Sequence, residues 1–295
     1  MPEPIAILPR HASDAPLLMG ILNVTPDSFS DGGCYVDVDA AVAHGLAMAR
    51  DGAGVIDVGG ESTRPGAQRI DAEEQCRRVV DVIAALRRSL DAQGFPNVAI
   101  SIDTTRSAVA AAALDAGASI VNDVSAGVED DAMLPLVAGR GVSVVLMHMR
   151  GEPGTMQASP SYDDVVAEVL GYLEERAACA QRLGIARERI AIDPGIGFGK
   201  TLEHNLALLA GLDRFVATGY AVLLGASRKR FIAHLASGEE EGAVPRDGRD
   251  RLGGTAATSV LGYAAGVRAF RVHEVWANRQ ALAVALSVAR AREKY

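Results

Sequence analysis

Short apolar runs alternate with longer stretches of helical spacing along this chain. Leu17–Leu22 is apolar apart from Gly20 and ends on the polar Asn23, before a long loop rich in Thr, Pro, Asp, Ser and Gly. A continuous apolar run bounded by turn formers marks a parallel strand covered on both faces. Val38–Arg50 then sets Val38, Ala41, Val42, Leu46 and Ala49 on one helical face, and Gly52-Ala53-Gly54 breaks the pattern. The same unit recurs. Further strands are expected at Val55–Val58, Val98–Ile102, Ser119–Val121, Val142–Met147, Ile190–Ile192, Ala221–Leu224 and Val267–Phe270. Helices are expected at Ala72–Leu90, in TTRSAVAAAALDAGA, and at Ala132–Ala138, Tyr162–Leu183, Asn205–Leu212, Phe231–Ala236 and Gly254–Ala265, with a closing helix to Ala291.

Every crossover is long enough for parallel pairing. The pattern predicts an α/β fold, a single (β/α)8 TIM barrel over residues 1–295, with residues 1–16 as an N-terminal extension. A doubly wound open sheet is the runner-up. That fold would put its Gly-rich fingerprint after the first strand, whereas DPGIGFGK follows the sixth.

In such a barrel the carboxyl ends of the strands share one face, and barrel enzymes carry their chemistry there. The ends here are Asn23, Glu61–Pro65, Asp103, Asn122, His148, Asp193, Ser227-Arg228-Lys229 and Arg271-Val272-His273. A single Asp or Asn at such a place is readily an Asx turn or a helix cap. Eight polar ends in register are less easily explained by caps alone. Asp103, Asn122, Asp193 and Lys229 offer donors and acceptors suited to a flat heterocycle. Asn23, Thr63, Arg64, Ser227, Arg271 and His273 offer oxygens and cations suited to an anion such as phosphate. DPGIGFGKT lacks the four-residue gap of a nucleotide P-loop. Its glycines are expected to let backbone pass close to a ligand, with Phe198 beside it and Lys200 readable as a surface residue. The loops Val24–Val36 and Gly59–Asp71 exceed the usual ~2–6 residues of a βα connection, and are expected to close over a bound ligand.

Composition narrows the function. Hydrophobic residues are 49% and charged residues 22%, which allows a large core and excludes a disordered chain. A net charge of −8 with 4% aromatics argues against nucleic acid. Among 29 basic side chains, lysine occurs only at Lys200, Lys229 and Lys294, so a lysine in a buried loop draws attention. Cys34, Cys76 and Cys179 are far apart and form no CxxC, which reads as reduced thiols and a cytoplasmic protein. The first residues lack a basic segment followed by an apolar run, and no apolar stretch is long enough to span a bilayer, so no membrane association is expected. His11, His44, His204 and His234 fit no metal spacing.

NVTPDSFSDGG, VGGESTRPGA, SIDT, VNDVSAG, DPGIGFGK, GASRKRF and RVHEV occur here in the order and spacing of one family. From about Leu18 to the final helix the chain resembles the bacterial dihydropteroate synthases. The resemblance implies a TIM barrel that joins (7,8-dihydropterin-6-yl)methyl diphosphate to 4-aminobenzoate, yielding 7,8-dihydropteroate and diphosphate through a pterin methylene cation. Sulfonamides would compete for the aminobenzoate site. By the same resemblance Asp103, Asn122, Asp193 and Lys229 contact the pterin, and Thr63, Arg271 and His273 the diphosphate. Phe29, Arg64, Pro65, Phe198 and Ser227 surround the aminobenzoate, and Asn23 lies by a magnesium ion. Asp103, Asp193 and Lys229 would be the catalytic set, and the protein a homodimer. Glu274 stands where Asp is the more frequent residue, and Gly238–Asp250 resembles an insertion without catalytic meaning. Two other readings are a pterin-binding paralogue without the reaction and a methyltetrahydrofolate-dependent corrinoid methyltransferase. The intact NVTPDSF, STRP and SRK segments count against the first. The second has little use for Thr63, Arg271 and His273.

Overall fold

The computed structural model describes residues 15–25, 37–61, 69–151, 156, 160–237 and 251–292. Within them eight parallel strands close into a barrel in chain order. They are β1 (Leu17–Asn23), β2 (Val55–Gly59), β3 (Ala99–Asp103), β4 (Ile120–Asp123), β5 (Ser143–Met147), β6 (Ile190–Asp193), β7 (Ala221–Leu224) and β8 (Ala269–Val272). Around them lie α1 (Val38–Asp51), α2 (Ala72–Ala92), α3 (Ser107–Asp115), α4 (Met133–Arg140) and α5 (Val165–Arg182). The ring continues with α6 (Leu202–Ala210), α7 (Leu212–Ala217), α8 (Arg230–Ser237), α9 (Leu252–Ala264) and α10 (Val275–Arg292). The barrel expected from the spacing is therefore the one observed.

Side-chain alternation builds two separate apolar zones. Leu18, Leu22, Ile56, Val58, Ile100, Ile102 and Phe270 face outward and pack with helix residues such as Leu46, Val79, Ile83, Leu86 and Leu173. Each such buried side chain contributes about 1.5–3 kcal/mol of transfer free energy. The intervening positions Met19, Val55, Ala99, Ile120, Val145, Ala191, Ala221, Leu223 and Ala269 form a distinct cluster that fills the barrel. Two residues further along the strands the same inward direction brings Asp57, Ser101, Asn122, Met147, Asp193 and Arg271. A charged layer thus rests on an apolar floor.

The helix starts follow from caps. Asp37 accepts from the Ala40 N–H at 2.9 Å, and Asp71 from the Glu74 N–H at 2.8 Å. Two boundaries differ from expectation in a way that matters. β4 runs to Asp123 and β8 to Val272, so Asn122 and Arg271 stand inside paired strands. The helix expected at Asn205–Leu212 is instead two, α6 and α7, which meet at Gly211. Apolar residues continue through that junction, so periodicity alone does not reveal the break. Among the described residues no helix is long and apolar enough to cross a membrane.

Candidate active site

Four strands supply a buried network. Arg271 from β8 donates from Nε to Asp57 Oδ2 at 2.6 Å and from Nη2 to Asp103 Oδ2 at 2.7 Å. Asn122 Nδ2 donates to the same Asp57 oxygen at 3.1 Å. Asp57 is fully buried, and its Oδ1 takes no hydrogen bond from the protein. One guanidinium therefore bridges two carboxylates that would otherwise repel each other. Desolvation pushes the Asp103 carboxyl up to about 7, with Asp57 adding to the rise and the adjacent Arg271 opposing it.

Asp193 and Lys229 complete the layer. Asp193 Oδ1 accepts from the Gly195 N–H at 2.7 Å, which folds the chain back at the strand end. Burial raises its carboxyl above the usual range, against the pull of that hydrogen bond and of Lys229. Lys229 holds its ammonium 3.7 Å from the centre of the Phe198 ring. Burial and then the nearby Arg271 lower it to about 7, while Asp193 and Asp103 act the other way. Glycine keeps two strand ends open. A Cβ on Gly59 would sit 3.8 Å from Asn23 Oδ1 and 3.5 Å from Asp103 Cβ, and one on Gly225 would sit 3.3 Å from Asp193 Oδ2. A side chain at Gly59 or Gly225 would thus crowd polar groups of the site.

A second cluster sits beside the first. Ser227 Oγ lies 2.9 Å from His273 Nδ1 and accepts from the His273 N–H at 3.2 Å. Arg228 adopts a positive φ of 56° in this turn. That left-handed backbone is unfavourable for a side-chain-bearing residue and persists only where its surroundings fix it. Here Thr255 Oγ1 accepts from the Arg228 N–H at 3.1 Å, Arg251 donates to its carbonyl at 2.6 Å, and its guanidinium pairs with Glu274.

The chain matches the family described as "Pterin binding enzyme" over residues 19–273. It is 50% identical over 272 residues to the dihydropteroate synthase of Mycobacterium leprae, covering 90% of this chain and 91% of that one. It is 44% identical to the Escherichia coli dihydropteroate synthase, with 94% and 93% covered. A solved Xanthomonas albilineans dihydropteroate synthase with 4-aminobenzoic acid superposes with a TM-score of 0.83 at 45% identity, covering 93% of each chain. The chain belongs to the dihydropteroate synthase family. A further structure of that Xanthomonas enzyme, in complex with 7,8-dihydropteroate, superposes with a TM-score of 0.79 at 42% identity, covering 93% of this chain and 94% of that one.

The predicted site residues divide in three. Asn23, Asp103, Asn122, Asp193, Phe198, Ser227, Lys229, Arg271 and His273 gather at the carboxyl-terminal mouth of this family's barrel. Phe29, Thr63, Arg64 and Pro65 lie outside the described residues, as do the middles of the two long loops and the stretch 238–250. His148, expected among the converging strand ends, turns instead toward α5, where its ring meets Tyr172 edge-on at 5.0 Å. Burial, with Lys200 and Arg150 nearby, depresses the imidazole to about 3. Lys200 is a correction as well. It is only 3% exposed, because Asp193–Lys200 packs flush against residues 148–150. Asp57 is the residue that a reading of strand ends passes over. Its signal was present, as a lone carboxylate in the apolar strand VIDVG.

Proposed function

We infer that this protein joins (7,8-dihydropterin-6-yl)methyl diphosphate to 4-aminobenzoate, forming 7,8-dihydropteroate and releasing diphosphate. The observation that carries this reading is the charge-balanced layer Asp57–Arg271–Asp103 with Asn122, Asp193 and Lys229, set in a chain of this family. A pterin ring presents amide-like donors and acceptors along its edge, and Asp103, Asn122, Asp193 and Lys229 supply the complement. Asn23, Thr63, Arg271 and His273 face the diphosphate in this reading. Phe29, Arg64, Pro65, Phe198 and Ser227 line the aminobenzoate.

The reaction needs no side-chain nucleophile. The C–O bond from the pterin methylene to diphosphate breaks, the ring shares the positive charge, and the amine nitrogen forms the new C–N bond and gives up a proton. Asp103 and Asp193 place negative charge beside the developing cation. Lys229 orients the ring, and Phe198 and Ser227 hold the amine for attack. The residues present fit a magnesium ion. Asn23 Oδ1 is a hard oxygen of the kind magnesium takes, and it lies close to Gly59 and the Asp103 carboxylate. Asn23 would hold magnesium together with diphosphate oxygens, and the ion would offset the charge of the leaving group.

Three measurements test this reading. The purified protein, given both substrates and magnesium, is expected to release diphosphate and to stop when the metal is chelated by EDTA. Folded protein that releases none overturns the assignment. Asp193→Asn keeps an oxygen for the Gly195 N–H but loses the charge, so turnover should fall by at least tenfold while Tm moves little. A large drop in Tm with normal turnover would make Asp193 structural. The protein also acts as a homodimer in the cytoplasm on this reading. Trp276, Val284 and Val288 stripe an exposed face of α10 beside the exposed Leu261 of α9, an apolar patch suited to a second copy. Light scattering should give twice the chain mass, and Val284→Glu should return the monomer. A monomeric wild type at micromolar concentration excludes the dimer. The free Cys76 and Cys179 suit a reducing compartment.

A further inference from the structure

Lys200 has no place in the reaction described above, yet its surroundings are unusually specific. Its Nζ lies 3.0 Å from the Phe198 carbonyl, 3.3 Å from the His148 carbonyl and 3.0 Å from His148 Nδ1. Two carbonyl oxygens accept from it, and in the tautomer with a bare Nδ1 the His148 ring completes a set of three acceptors. Among the described residues no carboxylate bonds to it, so its burial is sustained by these neutral partners and by the more distant Asp193. Burial is costly to an ammonium and lowers this one to about 7, so the three contacts are what offset it.

The segment it ties down is the wall of the site. A Cβ on Gly195 would collide with the His148 carbonyl, and one on Gly199 with the Arg150 carbonyl. Gly195 and Gly199 therefore serve close contact with the neighbouring loop. Further contacts hold the loop after β6, one of them from the loop after β5 and one from α6. The Tyr162 hydroxyl donates to the Gly199 carbonyl at 2.9 Å, and Asn205 accepts from the Gly197 N–H at 2.6 Å. Between Gly197 and Gly199 stands Phe198, whose ring carries the Lys229 ammonium at 3.7 Å. A Cβ on Gly197 would lie 3.0 Å from the Lys229 stem. The path from Lys200 to the reacting centre is thus short: its ammonium grips the Phe198 carbonyl, Phe198 supports Lys229, and Lys229 faces the ring pocket.

We propose that Lys200 is a positioning residue of this site, which stitches the loop after β6 to the loop after β5 and thereby sets the Phe198 ring that seats Lys229 and the aromatic amine. The proposal rests on the reaction assigned above. It also explains why a residue expected on the surface lies inside: its partner is the backbone of two loops, and sequence spacing does not report their proximity.

A double-mutant cycle in the full-length protein tests this. Lys200→Met is expected to raise KM for 4-aminobenzoate about tenfold, with KM for the pterin diphosphate changed less than about twofold and the circular dichroism spectrum intact. Phe198→Ala should show a loss of the same kind. The double variant K200M/F198A should be no worse than F198A alone, because Lys200 acts through Phe198. Losses that multiply, or an equal rise in both KM values, would overturn the proposal. If K200M does not fold, Lys200→Gln, which keeps two donors, enters the same cycle under the same criteria. Wild type is measured first. An inactive wild type refutes the assigned reaction, whereas an active wild type with multiplying losses refutes the role of Lys200 alone.

Discussion

Lys229→Ala is expected to lower kcat/KM by roughly 10²–10³, the loss that follows removal of one preorganised charged contact. Its ammonium is held over Phe198 and lies within the field of Asp193 and Asp103. The fold should not suffer in proportion. Burial already disfavours this ammonium and lowers it to about 7, so removing it relieves an unfavourable burial while sacrificing a contact with the aromatic ring. Tm is therefore expected to stay within a few degrees of wild type. Steady-state kinetics and calorimetry on one preparation decide the matter. A variant with near-normal kcat/KM removes Lys229 from the site.

How far the sequence speaks for this site depends on where each residue sits. Asp103 and Asp193 end their strands, so the switch from an apolar run to a polar residue marks them directly. Asn122 was legible for the same reason, while its neighbour Asp123 binds its own turn by accepting from the Ser125 and Gly127 N–H groups at 2.8 and 2.7 Å. Asp57 was not found, because it lies in mid-strand and reads as an interruption of the core. Lys200 was misplaced because two of its three contacts, the His148 carbonyl and Nδ1, belong to another loop. Alternation reports which way a strand residue points, but it carries no information about which loops touch. The barrel itself was legible because each βα unit repeats its own pattern, whereas α7, six residues long, has too little sequence to show a period.

Arg271→Met should be the most damaging single change to the charged layer. The side chain is 21% exposed and bonds at once to Asp57 and Asp103. Without it two buried carboxylates face each other with no bridging cation. Removing one partner of a buried pair costs about 3–5 kcal/mol. In a chain of this size that corresponds to a fall in Tm of roughly 10 °C. Activity should be lost as well, since the same guanidinium serves the ligands on the reading above. The deficit should depend on pH. Loss of the opposing cation moves Asp103 further above its unfolded value near 3.9, so the folded variant binds a proton that the unfolded chain has released. The stability of the variant then rises as pH falls from 8 toward 5, and its Tm gap from wild type should narrow. A gap that is constant or widens over that range would show that the bridge does not govern the two acids.

The apolar floor has a consequence for traffic. Met19, Val55, Ile120, Val145 and Leu223 plug the barrel below the charged layer, and there is no passage through it. A molecule that reaches the carboxylates must come and go by the same mouth. On the proposed reaction the two reactants would share a single doorway, and the one lodged deeper would have to arrive first. If the shallower one settles early, it bars the way. On the same reading the joined product would span both positions and back out whole before the next turn begins.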